Sequence, residues 1–192
     1  MRLFSRLYER VMLWSRHPQA PRYLAALSFA ESSFFPVPPD VMLAPMCLAE
    51  PAKAWRFALL TTLASVLGGM LGYLIGHFAF EMVEPLIIDW GYHAQYLRAK
   101  AWFAQWGFWA VFLAGFSPIP YKVFTISAGV IAMSFLPFVV ASAVGRGARF
   151  FLVSAVMAWG GARMEGLLRR YIDALGWLVV LLAVVLMVVA QG

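Results

Sequence analysis

Two short stretches of this sequence combine prolines and charge within otherwise hydrophobic surroundings. Pro36-Val37-Pro38-Pro39-Asp40-Val41 and Pro118-Ile119-Pro120-Tyr121-Lys122-Val123 share one pattern: proline, aliphatic, proline, any residue, charge, valine. Glu31 precedes the first stretch, and Arg146 and Arg149 lie in an apolar segment after the second. The chemistry such residues offer is ionic recognition and proton exchange. Arginine can hold a phosphate through paired hydrogen bonds, whereas lysine acts as a point charge. Glu31, beside Phe29, Phe34 and Phe35, is the candidate carboxyl to take up a proton, with Asp40 as a second coupling acid. Two acids (Glu31, Asp40) against three bases (Lys122, Arg146, Arg149) leave one positive charge for an anionic headgroup. A plainer reading has Glu31 and Asp40 neutralising the bases and pinning the two stretches together, since a buried ion pair is weak evidence of function. The surplus charge favours a headgroup site.

Bond-making chemistry has little to work with. A lipid phosphatase would place histidines with serine or aspartate, and an intramembrane protease would show a Gly-x-Ser-x-Gly-like motif with a partnered histidine. Neither is present, and His17, His77 and His93 share no metal-ligand spacing. Cys47 is the single cysteine, so no disulfide or cysteine metal cluster forms within the chain. No catalytic residue, metal or cofactor is assigned.

The surroundings of these charges fix where they work. Of the 192 residues 63% are hydrophobic and 12% charged, against roughly 25% charged in a soluble domain. The net charge of +6 is spread among hydrophobic segments, which speaks for topology signals and against nucleic acid. A bilayer core of about 30 Å needs about 20 apolar residues in a helix. Residues 57–78, 136–160 and 174–190 meet that length as spanning helices, about three in all. Residues 23–50 and 108–134 are each divided by their prolines into pieces too short to cross. Pro36, Pro38, Pro39, Pro118 and Pro120 remove backbone donors and block helical geometry, so the chain breaks there. Both segments are expected to be re-entrant hairpins with their breaks facing the protein interior.

Charge placement supports this. If the arginine-rich N-terminus is cytoplasmic, a returning first hairpin keeps Lys53 and Arg56 inside, and a returning second one brings Arg163, Arg169 and Arg170 inside as well. The intervening loop, 79–107, is then outside. The two hairpins open to opposite sides, and each is followed by a helix with a related motif, Ser65-Val66-Leu67-Gly68 and Ser142-Ala143-Val144-Gly145. The fold class is therefore an all-α integral membrane protein with an inverted-topology repeat, the arrangement that places a transporter's site at the repeat interface. Residues 1–21 read as an amphipathic interfacial helix ended by His17, Pro18 and Pro21, residues 22–160 as the membrane domain, and residues 161–192 as an amphipathic linker and C-terminal transmembrane helix. Gly68, Gly72 and Gly76 form a small-residue face for close helix packing.

The Glu31-to-Asp40 hairpin, the Gly68–Gly76 stretch, the second hairpin closing on Ser127-Ala128-Gly129, and Gly145-Arg146-Gly147-Ala148-Arg149 together resemble the DedA family, the bacterial branch of the VTT-domain proteins. The resemblance covers roughly residues 22–160. It implies a multi-pass protein of the bacterial inner (cytoplasmic) membrane that moves lipids between leaflets as a flippase or scramblase. Phospholipids or an undecaprenyl-phosphate-like carrier would be the partners, with H+ or Na+ gradients as the drive. It also implies that hairpin acids, matched by Glu31 and Asp40, and arginines in the second hairpin are the functional positions. This chain departs there: Lys122 fills one arginine's place, and no basic residue stands near Phe116-Ser117 for the other. Arg146 and Arg149 are the candidates to compensate. A proton- or cation-coupled exporter of small solutes, with Glu31 and Asp40 as coupling acids, is the alternative function. Assembly into an oligomer is left open.

Overall fold

The computed structural model describes residues 17–33, 37–89, 93–117 and 120–161. The described residues are helical, with no strand among them. The helices are α1 (Ala20–Ser33), α2 (Asp40–Ala49), α3 (Ala54–Asp89), α4 (His93–Phe116), α5 (Tyr121–Val130) and α6 (Phe135–Gly161), with a 3-10 turn at Pro51–Lys53 leading into α3. Two stretches, Pro51–Phe80 and Phe135–Gly161, are long and apolar enough to cross a membrane. The N-terminal amphipathic helix up to residue 16, the C-terminal helix at 174–190, the basic residues beyond 161, and Pro36 and Pro118 lie outside the described residues.

At each break the last proline stands directly before a helix. Pro39 precedes α2, and its carbonyl accepts from the Met42 and Leu43 amides at 3.0 and 2.9 Å. Pro120 precedes α5 and accepts from Val123 at 3.1 Å. At these positions the missing N–H would have had no helical partner, so proline costs nothing. Pro21 likewise lies in the first turn of α1. With 14, 10 and 10 residues, α1, α2 and α5 reach about 21, 15 and 15 Å, well short of a bilayer core.

Two helices run past the limits expected from apolar length. The span read as 57–78 is part of the 36-residue α3, and the region read as a loop, 79–107, is taken up by the end of α3 and most of α4. The short apolar piece at 108–116 is the end of the 24-residue α4. Apolar length reports only the part of a helix immersed in lipid. A helix satisfies its own backbone hydrogen bonds in water as well, and Ala, Gln, Leu, Arg and Lys in 94–105 are good helix formers.

Helices α3 and α6 lie antiparallel and tie two cores together. Near the start of α3, Trp55 stacks with Phe151 at 5.9 Å and meets Trp159 edge-on at 6.0 Å. Further along, Tyr73 contacts Phe138 at 5.0 Å and Phe135 at 5.4 Å. One core joins Leu24, Leu43, Met46, Cys47, Phe57 and Phe150, and the other joins Tyr73, Val111, Ala114, Tyr121, Ala128 and Phe138. Helix α1 packs on α3 through buried serines: Ser28 Oγ donates to the Thr61 carbonyl at 2.8 Å, and Ser33 Oγ to the Gly68 carbonyl at 3.0 Å. Such hydroxyls join helices where lipid offers no hydrophobic drive.

Helix α3 is approached closely along its glycines. A Cβ on Gly68 would lie 2.2 Å from the Phe29 carbonyl oxygen, one on Gly72 2.5 Å from Thr125 Oγ1, and one on Gly76 2.1 Å from the Ile126 carbonyl oxygen. Gly129 answers from α5, where a Cβ would fall 1.9 Å from the Tyr73 carbonyl oxygen. Gly145 on α6 meets the Phe112 carbonyl oxygen of α4 in the way Gly68 meets Phe29, at 2.5 Å.

Candidate functional site

The midpoint of Pro51–Phe80 falls beside Ser65, and that of Phe135–Gly161 between Arg146 and Arg149. Three elements meet at this level with the charges the sequence singles out. Glu31 and Ser32 come from the last turn of α1, Asp40 from the first residue of α2, and the two arginines from one face of α6, three residues apart.

Arg146 is enclosed. Its side chain is 2% exposed. Nη2 donates to Glu31 Oε2 and, at 3.2 Å, to Ser32 Oγ, and Nε donates to Ser65 Oγ at 2.5 Å. Ser32 and Ser65 share a further hydrogen bond of 2.7 Å, and Ser32 also donates to Glu31 Oε2 at 3.1 Å. The guanidinium carbon lies 4.8 Å from the Tyr121 ring centroid and 4.7 Å from that of Phe150, so each core supplies one ring against it. Cations over aromatic rings gain most where water is excluded, on the order of 2 kcal/mol. That gain and the ion pair offset an insertion cost of about 3 kcal/mol for a charge at mid-bilayer.

Arg149 is held more loosely. Nη2 donates to Asp40 Oδ2 at 2.5 Å and Nη1 to the Ser117 carbonyl at 2.7 Å, with the Arg149 and Asp40 side chains 20% and 24% exposed. One guanidinium thus ties the start of α2, just after the first break, to Ser117 at the edge of the second. No basic residue stands near Phe116-Ser117 in sequence; Arg149 brings a positive charge there through space. Lys122, half-buried, follows Tyr121 at the start of α5, and its carbonyl accepts from Thr125 Oγ1 at 2.9 Å. In both ion pairs the acid comes from the first half of the chain and the base from the second.

Four buried side-chain oxygens near these pairs complete no hydrogen bond: Asp40 Oδ1, Ser117 Oγ, Tyr121 Oη and Ser142 Oγ. The first two belong to Arg149's partners, and the last two approach one another, Tyr121 being one of the rings against Arg146. Ser32, Ser65, Ser117, Tyr121 and Phe150 were not among the candidate site residues. Ser65 stands in the repeated Ser-x-x-Gly motif, which could have marked it. Among the described residues no group of three or more His, Cys, Asp or Glu side chains is placed to hold a metal ion.

The VTT domain model matches residues 35–159, from the first break to the end of α6. The chain belongs to the VTT-domain (DedA) family. It is a membrane protein, as members of that family are. Glu31 and Ser32 lie just upstream of the matched region, which contains their partner Arg146. An uncharacterised protein of Haemophilus influenzae is 50% identical over 185 residues, 96% of both chains. An uncharacterised homologue from Histophilus somni is 46% identical over the full length of both. Undecaprenyl phosphate transporter A of Staphylococcus aureus is 32% identical over 95 residues, 45% of this chain and 46% of that one. No solved structure matches the chain.

Proposed function

We propose that this DedA-family protein is a lipid transporter that moves a phospholipid or polyprenyl-phosphate carrier between the leaflets of the bacterial inner membrane. In this reading α1 with α2, and the end of α4 with α5, are re-entrant hairpins of an inverted repeat. Three features support the repeat: short second arms that both start on proline, the matching Gly68–Phe29 and Gly145–Phe112 backbone contacts, and the cross-half ion pairs. The observation that carries the function is the position of those pairs at the midpoint of the second apolar span, with Arg146 also bonded to Ser65 at the midpoint of the first. Charges at that depth are costly and mark substrate or ion pathways. The headgroup enters between the hairpins and is met by Arg149, with Lys122 as a second positive charge, while Arg146 stays enclosed behind them and the lipid's tails stay in the bilayer.

Glu31 and Asp40 are the coupling carboxyls, and Asp40, a quarter exposed, is the one a proton reaches more readily. The relative named for undecaprenyl phosphate transport supports a phosphorylated cargo. The test is the headgroup dependence of translocation in proteoliposomes, with and without a pH difference. Phosphorylated fluorescent lipids should change leaflet faster than an uncharged lipid with the same chains. Their rate should respond to the pH difference, and Asp40→Asn should blunt that response. Proton flux driven by a small solute, with no lipid of any headgroup moving, would instead favour the exporter reading.

A further inference from the structure

The two arginines at the centre of the molecule are built differently, and the difference assigns them different tasks. Arg146 has a ring on each face, three hydrogen-bond partners and almost no exposure. An anion reaching it would have to displace aromatic packing from both cores and a serine pair that is itself hydrogen-bonded. Arg149 has two partners, Asp40 and the Ser117 carbonyl, and a fifth of its side chain is open. Beside it the Ser117 hydroxyl completes no hydrogen bond, although it carries a proton that suits an anionic oxygen. Asp40 Oδ1 is also without a partner, so the carboxylate is held at one oxygen only.

We propose that Arg149 is a latch for which Asp40 and the phosphoryl group of a lipid compete, with Arg146 as a fixed strut. The oxygens of a phosphoryl group can engage the guanidinium in the fork geometry that a carboxylate uses, and they can accept from the Ser117 hydroxyl as well. When the phosphoryl group takes the guanidinium, Asp40 is released. Asp40 heads α2 and Ser117 closes α4, so releasing Asp40 unfastens the first break from the second and couples binding to opening. The identity of the anion's carrier rests on the lipid-transport reading; the competition does not.

The experiment is calorimetric titration of the purified full chain in detergent with dihexanoyl phosphatidic acid, dihexanoylglycerol and inorganic phosphate. The phosphatidic acid should bind and the glycerol lipid should not. Arg149→Gln should weaken binding about tenfold or more, and Arg149→Lys, which keeps the charge without the fork, should fall between. Asp40→Asn should tighten binding, because the competitor has lost its charge, whereas a merely structural pair would not give tighter binding on losing a member. The paired replacement Glu31→Gln/Arg146→Met should bind within about threefold of wild type. Unchanged affinity in folded Arg149→Gln, weaker binding in Asp40→Asn, or lost binding in a folded paired replacement would each overturn the latch. Inorganic phosphate binding as tightly as the lipid would uphold the latch but count against a lipid cargo. Binding as proposed without leaflet exchange in liposomes would overturn the transport reading alone.

Discussion

Replacing Arg146 with methionine or Glu31 with glutamine singly is expected to cost about 3–5 kcal/mol of stability, enough to lose most folded protein on extraction. The magnitude follows from burial. Arg146 is 2% and Glu31 14% exposed, so either single change strands a buried charge midway along an apolar span. Ser32 and Ser65 would then hydrogen-bond to a group that no longer balances its neighbour. Removing both charges together with Glu31→Gln/Arg146→Met should recover most of the loss, because a buried pair replaced by uncharged side chains of similar size is often neutral. Thermal unfolding in detergent of the two single variants and the pair gives the coupling directly. Additive losses would mean that the two residues do not act as a pair. The Asp40–Arg149 pair, partly open to its surroundings, should lose less when broken, and the exposed Lys53–Glu50 pair should matter little.

The second large effect is expected where α3 and α5 touch backbone to backbone. Gly129→Ala would set a methyl 1.9 Å from the Tyr73 carbonyl oxygen, and Gly76→Ala one 2.1 Å from that of Ile126. Backbone cannot rotate aside as a side chain can, so the two helices must separate. Each substitution should destabilise by about 3 kcal/mol or more, at or above the upper end of ordinary overpacking. Gly147→Ala is the control. Its added methyl meets nothing nearer than Thr62 Cγ2 at 3.6 Å, and alanine is favoured over glycine within a helix by about 1 kcal/mol. A rise or no change in melting temperature for Gly147→Ala, with a fall for Gly76→Ala and Gly129→Ala, is the expected pattern. Equal melting temperatures for all three would mean that the α3–α5 contact is slack.

What could be read before folding divides along physical lines. The helix interruptions were legible at Pro38, Pro39 and Pro120 because proline acts on its own backbone and on the residue before it. The charges at 31, 40, 146 and 149 stood out because hydrocarbon makes each one expensive. That the acids could neutralise the bases was legible, but which acid takes which base was not, since Glu31 and Arg146 are 115 residues apart and nothing local selects Arg146 over Arg149 as partner. The aromatic rings around Arg146 were hidden for a similar reason: Tyr121 and Phe150 look like core residues until both are seen on one guanidinium. The length of α3 and the start of α4 were missed because charged residues past the bilayer edge resemble a loop, while helical hydrogen bonding continues through them. The Gly68/Gly72/Gly76 stripe can be seen from its spacing, but a lone glycine such as Gly129 reveals its contact only when α3 lies against it.

We propose that the clasp between the two breaks sits on the path of a lipid headgroup. The most direct measurement is the extent to which dithionite bleaches a fluorescent anionic phospholipid in liposomes carrying wild-type protein or Arg149→Gln, at equal and verified folded protein per vesicle. Wild-type protein should carry bleaching beyond the outer-leaflet pool into the inner one, and Arg149→Gln should leave the inner pool protected as in protein-free liposomes. Equal bleaching by the two proteins would contradict the account.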